Sequence, residues 1–265
     1  YQKALSEGAD FVIGPLTKED VQALNRSGSF SVPTLALNYT DISWGSLPTN
    51  FYEFGLLPED EVTQMVTRAR SSGSHAIIIA PNTTWGKRLV SAFSNRWQSA
   101  GGSIQDTWYY AANTNFNQDI AHLLNVNPDT DSAQRRHDFD VIFLFAQPQE
   151  AHLIVPLLRY YYANNVPIYA TSSVYSGTPN PAKDMDLNGV IVCDTPSSRQ
   201  AAQGGASSNR LSAVGQDAYL LSQTLPRLSE LPNFPMYGAT GALILSSNHQ
   251  IHRHVPCTMI QNGLL

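Results

Sequence analysis

The sequence predicts an α/β fold in which parallel β-sheets are flanked by helices. Short apolar runs alternate along the chain with amphipathic helical patterns, as in repeated strand-helix-strand units. Most of these runs end in a short polar or proline-marked loop, which is where such units change direction. With 265 residues, 42% of them apolar, the chain is long enough for one large domain or for two lobes with separate cores.

The first unit, residues 8–24, shows this pattern in its simplest form. Residues 10–14 predict a strand, and Thr17 and Asp20 have the spacing of a capping box at the start of a helix that runs to about Leu24. Further strands are predicted at 32–39, 75–81, 138–146, 166–172, 187–196 and within 238–263, and helices at 58–71, 85–102, 148–165 and 210–228. In the second of these helices Leu89, Phe93 and Trp97 recur at four-residue spacing, which indicates one buried face. The small and polar residues 197–209 predict a mobile surface loop.

Charge and hydropathy exclude some partners. The formal net charge is -5, so no basic surface for nucleic acid is expected. No apolar run approaches the roughly 18 to 20 residues that a membrane-spanning helix needs. The chain opens at Tyr1 without the pattern of a signal peptide, and we expect it to be a fragment.

Searches for a nucleophile elbow, a phosphate-binding loop, a zinc-protease helix and a dinucleotide fingerprint find none of these motifs. The sequence therefore predicts no catalytic residue, no cofactor and no metal. The nearest approach to a metal cluster is His249, His252 and His254, which a polar hairpin edge explains better than a zinc or copper site.

Acidic residues have similarly plain interpretations. Glu59, Asp60 and Glu61 could form an acid-base cluster, but their position after Pro58 at a helix start favours stabilisation of the helix dipole. Asp194 and Asp217 are possible groups of a ligand cleft, although a lone carboxylate is more often a cap or an ion-pair partner.

Cys193 and Cys257 have no metal-site spacing, and two separately buried thiols are favoured over a disulfide. Tyr160, Tyr161 and Tyr162 are consecutive on a predicted helix, so at least one is expected at the surface, either at an interface or covering a sheet edge.

Loops at the carboxyl ends of parallel strands line the ligand crevice in open α/β sheets. Trp85 lies in one such loop, where it would form a shelf for a ligand or, more simply, pack on the following helix. These loops carry few charges, so a ligand should be neutral and hydrogen-bonding. The candidate cleft residues are Pro15, Thr17, Asn38, Tyr39, Asn82, Thr83, Trp85, Gln147, Ser172, Tyr175 and Asp194.

Several stretches resemble one family, the C-terminal domain of the LpoA outer-membrane lipoproteins, which activate penicillin-binding proteins. The most specific are GADFVIGPLTKEDVQAL, LALNY, FYEFGLLPEDE, GATGAL and the long central run from FDVIFLFAQPQEAHLIVPLLRYYYANN to LNGVIVCDTP. The resemblance implies a two-lobed type I periplasmic-binding-protein fold whose N-terminal β-α-β portion is missing. Lobe 1 would comprise residues 1–70 and 193–250, and lobe 2 residues 71–192 and 251–265.

The resemblance also implies a function. Such a protein would be periplasmic, anchored to the inner leaflet of the outer membrane by an N-terminal lipid that this chain lacks. It would bind a class A penicillin-binding protein, a bifunctional peptidoglycan synthase, and stimulate it, with peptidoglycan as a second contact. The alternatives from the residues themselves are a solute-binding module for a neutral ligand or wall fragment and, more remotely, a hydrolase with paired carboxylates.

Overall fold

A computed structural model describes residues 1–40, 47–126, 135–204, 206–207, 209–230 and 234–265, and these form two compact units. Unit 1 comprises Tyr1–Asp60, Thr195–Ser197 and Asn209–Val255, and unit 2 comprises Glu61–Asp194, Ser198–Ser208 and Pro256–Leu265. The predicted lobe limits at 70–71, 192–193 and 250–251 differ from the unit limits. The unit limit between Asp60 and Glu61 lies in the first turn of the helix Pro58–Ala69, whereas the predicted limit at 70–71 follows the end of that helix.

Unit 1 contains two small sheets among the described residues. Strands β1 (Val12–Ile13), β2 (Thr34–Ala36) and β3 (Phe51–Glu53) are parallel, whereas β9 (Met236–Tyr237), β10 (Ala242–Leu245) and β11 (Ile251–His254) form an antiparallel sheet in the order β11-β10-β9. The helices are α1 (Gln2–Ser6), α2 (Lys18–Asn25) and α9 (Arg210–Glu230). Strands β1 and β2 are shorter than the strands predicted at 10–14 and 32–39, because the residues on either side of each strand form loops.

The larger core of unit 1 lies between α9 and both sheets. Helix α9 buries one face at alternating spacings of four and three residues, the pattern of a helix packed along one stripe. That face consists of Val214, Ala218, Leu221, Leu225 and Leu228, and it packs with Leu35, Phe54, Leu243, Leu245 and Ile251.

Unit 2 is built on one mixed sheet in which six described strands run in the order β12-β8-β7-β6-β4-β5. The strands are β4 (His75–Pro81), β5 (Ser103–Tyr110), β6 (Val141–Leu144), β7 (Ile168–Thr171), β8 (Ile191–Cys193) and β12 (Cys257–Met259), and only the β12–β8 pairing is antiparallel. The helices are α3 (Pro58–Ala69), α4 (Thr84–Ser99), α5 (Phe116–Leu123), α6 (Pro148–Leu158), α7 (Pro181–Asp184) and α8 (Pro196–Gln203), of which α3 and α8 cross the unit limits. The predicted parallel α/β architecture is confirmed.

The apolar stripe predicted for α4 is confirmed, since Leu89, Phe93 and Trp97 are completely buried. The ring of Phe93 lies 4.0 Å from that of Phe143 on β6, and Trp97 meets the same ring edge-on at 5.2 Å between centroids. Aromatic pairs of this kind stabilise a core beyond their buried area.

Residues 197–209 were predicted as a mobile loop, and this is wrong for their first half. Pro196–Gln203 is helix α8, and Ser198 and Ala202, four residues apart, are buried. Two small side chains at helical spacing let this helix pack closely. The prediction of a loop relied on the polar composition of the segment and did not consider this spacing. Gly205 and Ser208 lie outside the described residues.

The predicted helix after β6 is interrupted. Helix α6 ends at Leu158, and the backbone is kinked within Arg159–Ala163, where Tyr161 and Tyr162 have non-helical angles and Tyr162 has a positive φ of 66°. This places Tyr161 inside, while Tyr160 and Tyr162 are 70% and 51% exposed. The expectation that at least one of the three tyrosines reaches the surface is confirmed.

Candidate functional site

In unit 1 two of the predicted cleft loops lie side by side, because they follow the parallel neighbours β1 and β2. The amide of Leu37 donates to the carbonyl of Pro15 at 2.8 Å, and the side-chain amide of Asn38 donates to the carbonyl of Leu16 at 3.1 Å. Thr17 begins α2, and its hydroxyl accepts from the amide of Asp20 at 3.2 Å. The predicted N-cap is therefore confirmed, and Asn38 acts as a clamp between the loops.

Tyr39 is part of the core of unit 1 and is only 7% exposed. Its hydroxyl donates to the carbonyl of Ile251 on β11 at 2.6 Å. Burial, followed by the nearby negative charge of Asp60, raises the pKa of Tyr39 well above its usual range. This phenol ties the loop after β2 to β11, and it stays neutral at every physiological pH.

In unit 2 the loop after β4 leads directly into α4. Thr83 is the N-cap, and its hydroxyl accepts from the amide of Gly86 at 3.1 Å, while the amide of Asn82 donates to the carbonyl of Tyr110 at 2.7 Å. The side chains of Asn82 and Thr83 are exposed, and Trp85 in the first turn of α4 is half-buried. Asn82 thus presents a neutral amide to solvent.

The loops after β6 and β7 are joined to each other. The hydroxyl of Ser173 donates to the carbonyl of Ala146 at 2.9 Å and also lies 2.7 Å from that of Thr171. Gln147 precedes α6 as its N-cap residue, without a side-chain capping bond, and is exposed. Tyr175 is buried, with 1% of its surface accessible.

Glu61 and Ser172 form a tight pair within unit 2. The amide and the hydroxyl of Ser172 donate to the two oxygens of the Glu61 carboxylate at 2.8 and 2.9 Å. For Glu61 the sequence favours a role at the helix dipole over one in an acid-base cluster. The structure shows in addition that this buried carboxylate fixes the loop after β7 to the start of α3.

Cys193 and Cys257 form a disulfide, so the prediction of two separately buried thiols is wrong. The two residues are direct partners across the antiparallel pair β8–β12, a relationship that the sequence does not reveal because they lie 64 positions apart. Asp194 follows the disulfide and is 3% exposed, and its amide donates to the carbonyl of Pro256 at 3.2 Å.

The other acidic candidates have structural partners within unit 1. Asp217, 1% exposed, accepts from the amides of Ala239 and Thr240 and from the hydroxyl of Thr240, at 2.6 to 2.7 Å. Asp60 contacts His252 and the amide of Arg253, each at 2.9 Å. Both carboxylates therefore hold loops and strands in place.

The three histidines considered as metal ligands have different environments. His249 occupies a turn with a φ of 66° and its ring lies 5.0 Å from that of Tyr52; His252 contacts Asp60; His254 is exposed. Within the described ranges, no group of three or more His, Cys, Asp or Glu side chains has a geometry that could hold a metal ion.

One surface feature of unit 1 was missed by sequence reasoning. A groove of about 260 Å³ is lined by Thr224, Arg227 and Leu228 of α9 and by residues 234–237; we name it the α9 groove. Phe234 and Tyr237 on its wall are 63% and 81% exposed. The sequence feature that could have indicated this groove is the stretch FPMY, residues 234–237. It places two aromatic residues in a short, proline-containing segment that has neither helical nor strand periodicity.

Comparisons with known proteins identify one matching family and several similar proteins. The profile of one family, described as LppC putative lipoprotein, matches residues 1–263. A protein of Photobacterium profundum named penicillin-binding protein activator LpoA is 28% identical over 96% of this chain and 46% of its own length. The chain spans about half the length of the curated relatives that it matches.

Solved structures show the same fold. The LpoA C-domain from Haemophilus influenzae, described as a regulator of PBP1A, has a TM-score of 0.78 and 24% identity, covering 99% of this chain and 83% of its own. A putative branched-chain amino acid ABC transporter structure from Chromobacterium violaceum has a TM-score of 0.73 and 26% identity, over 98% of this chain and 83% of its own. In the part of the chain that the structure describes, no helix has both the length and the apolar character needed to cross a membrane.

Proposed function

The chain belongs to the LppC putative lipoprotein family, and from this premise we propose that it is a non-catalytic regulator that binds and activates a class A penicillin-binding protein. The observation that carries the proposal is the match over residues 1–263 together with the names of the relatives, which are penicillin-binding protein activators. Its location would be the periplasm, with anchorage to the outer membrane through a lipid, as the family description supports.

Activation requires only binding energy. A regulator that binds the active conformation of the synthase more tightly than the inactive one shifts the population toward activity. Such a protein needs no nucleophile or acid-base pair of its own. The hydrogen bonds of Asp60, Glu61 and Asp217 support this, because each of these buried carboxylates already has specific partners inside its own unit.

The test is a binding and activity measurement with the class A penicillin-binding protein of the same organism. We expect the immobilised chain to bind the detergent-solubilised synthase saturably, and to raise its transpeptidase rate when added in solution. Heat-denatured chain serves as the control. Absence of saturable binding would contradict the proposal, and binding without a rate increase would reduce it to docking.

A second candidate is a solute-binding module, with peptidoglycan fragments as the ligands to test first. It is favoured by the neutral, solvent-accessible side chains of Asn82, Thr83 and Gln147 at strand ends, and by the fold shared with a putative amino-acid transporter protein. Titration calorimetry with purified muropeptides would show heat if this is correct. The variant Asn82→Ala would then lower the affinity, whereas a flat titration would count against the module.

A further inference from the structure

The α9 groove combines an apolar wall with one cationic group. Leu228, Phe234 and Met236 supply apolar surface, and Arg227 also lines the groove. Phe234 and Tyr237 are among the most exposed large aromatic side chains of the described residues. Aromatic side chains and arginine are the residues most enriched at the energetically important centres of protein interfaces.

The charge of Arg227 has no counterpart within the described residues. Its guanidinium lies within 4 Å of no carboxylate there, although Glu230 is three residues further along the same helix. A cation in the last turn of a helix has an ordinary explanation in the helix dipole. The dipole does not explain why this cation lines an apolar groove. A ligand with an apolar side chain next to a carboxylate would contact the apolar wall and pair with Arg227.

The groove is bordered by a strand with a free edge. Strand β9 pairs with β10 on one side, and on its other side the described part of the chain contributes no strand. Free strand edges accept extended segments through main-chain hydrogen bonds. The edge therefore favours a polypeptide as the occupant over a lipid or a small solute.

We propose that the α9 groove is a docking site for an extended segment of the penicillin-binding protein in which an apolar residue is next to an aspartate or glutamate. The apolar side chain would enter the groove, the carboxylate would pair with Arg227, and the backbone would lie along β9. This proposal rests on the proposed function, since it names the surface through which that function is exerted.

The experiment compares surface variants in the binding assay with the class A penicillin-binding protein. We expect Arg227→Glu, and the double variant Phe234→Ser with Tyr237→Ser, each to weaken the affinity about tenfold or more. Arg227→Lys keeps the charge and should stay within about threefold of the original chain. Circular dichroism and thermal unfolding would establish that each variant folds, which is expected because the altered side chains are exposed.

Two controls match these changes elsewhere on the surface. Arg199→Glu on α8 makes the same charge reversal at an exposed site, and Tyr109→Ser removes an exposed aromatic side chain from β5 of unit 2. Both should leave the affinity within about twofold of the original. If the groove variants bind as tightly as the controls, the groove is not the docking site, while the proposed function stands.

A second measurement does not depend on the synthase. Panning a random 12-residue peptide library on the immobilised chain should enrich an apolar residue adjacent to an acidic one, and Arg227→Glu should abolish that enrichment. If the synthase binds but no such motif is enriched, the stated chemistry of the occupant is wrong. If the motif is enriched but the synthase does not bind, the groove is a peptide site and the proposed function fails.

Discussion

The carboxylate of Asp60 lies 2.9 Å from the imidazole Nδ1 of His252 and also accepts the main-chain amide of Arg253 at 2.9 Å. The guanidinium of Arg253 is completely buried, with its Nε 4.0 Å from the same carboxylate. Asp60 thus provides negative charge beside a buried cation while fixing the backbone of β11.

Replacing Asp60 by Asn should destabilise unit 1 by about 3 kcal/mol, because the buried guanidinium of Arg253 loses one neighbouring negative charge and His252 loses its carboxylate partner. Urea unfolding followed by far-UV circular dichroism would measure the loss. His252→Ala, which removes a half-exposed ring from the same carboxylate, should cost only about 1 kcal/mol. Equal effects of the two changes would contradict the assigned role of Asp60.

Replacing Asp217 should also cause a large loss of stability. It accepts three hydrogen bonds from Ala239 and Thr240, and Asp217→Ala would leave the buried groups of Thr240 without this partner, at a cost of about 2 to 3 kcal/mol. Asp10→Ala removes an exposed carboxylate from the same unit and should be nearly neutral. The measurement is the shift of the denaturation midpoint of each variant.

The close approach of Gly238 to the carboxylate of Asp217 leads to a related prediction. A methyl group at Gly238 would collide with the carboxylate of Asp217, so Gly238→Ala should disturb the same loop. Gly215→Ala on α9, where nothing lies near the added carbon, should leave the protein as stable as before or slightly more stable. Thermal unfolding of the two variants separates the steric effect from the loss of glycine itself.

Acid sensitivity of unit 2 should depend on Asp140. Burial pushes the pKa of Asp140 upward, but the amides of Ser74 and His75 and the ring of His75 outweigh it, so the pKa is lowered from its ordinary 3.8. The folded protein therefore binds this proton less readily than the unfolded chain does. The stabilisation is present above pH 3.8 and is lost as the pH falls through the lower folded value.

Asp140→Asn should consequently lose stability at pH 7 and show a smaller further loss between pH 5 and pH 2 than the original chain, with about pH 4 as the point where the curves begin to converge. Denaturation midpoints measured across this range would test it. Parallel curves for the two proteins would mean that Asp140 has the same pKa in the folded and unfolded states.

The disulfide should contribute substantially to unit 2. Cys193 and Cys257 lie 64 positions apart in the sequence, and closing a loop of this size restricts the unfolded chain by about 4 kcal/mol in the loop-entropy model. The double variant Cys193→Ala with Cys257→Ala should be destabilised by up to that amount. Thiol labelling of the denatured, unreduced chain should detect no free cysteine, and two labelled sites there would refute the bond.

Much of the fold could be predicted because the alternation of strands and helices is determined by residues that are close together in the sequence. The strands around Ile77 and Phe143, the capped helix after Thr17 and the buried face of α4 all follow from short-range periodicity and capping chemistry. Strand β5 received no prediction: Ser103–Tyr110 is an edge strand whose residues are mostly half-exposed, so it shows neither a continuous apolar run nor a clean alternation.

The site was less predictable, because its properties depend on distant partners. Nothing near Ser172 in the sequence indicates that Glu61 holds its amide, and nothing near Cys193 indicates the register with Cys257. The α9 groove arises where the end of one helix meets an aromatic segment, and neither part has a recognisable motif. The interlobe cleft itself stays a prediction from the resemblance.

The position of β12 has a consequence for the order of events during synthesis. This strand begins 64 positions after the last residue of β8, yet it pairs with β8 and carries Cys257 opposite Cys193. Until it emerges, β8 lacks its neighbour on that side and the Cys193 thiol has no partner. Unit 2 can therefore reach its final covalent and hydrogen-bonded state only after residues 257–259 have been synthesised, even though the other five described strands of its sheet precede them in the chain.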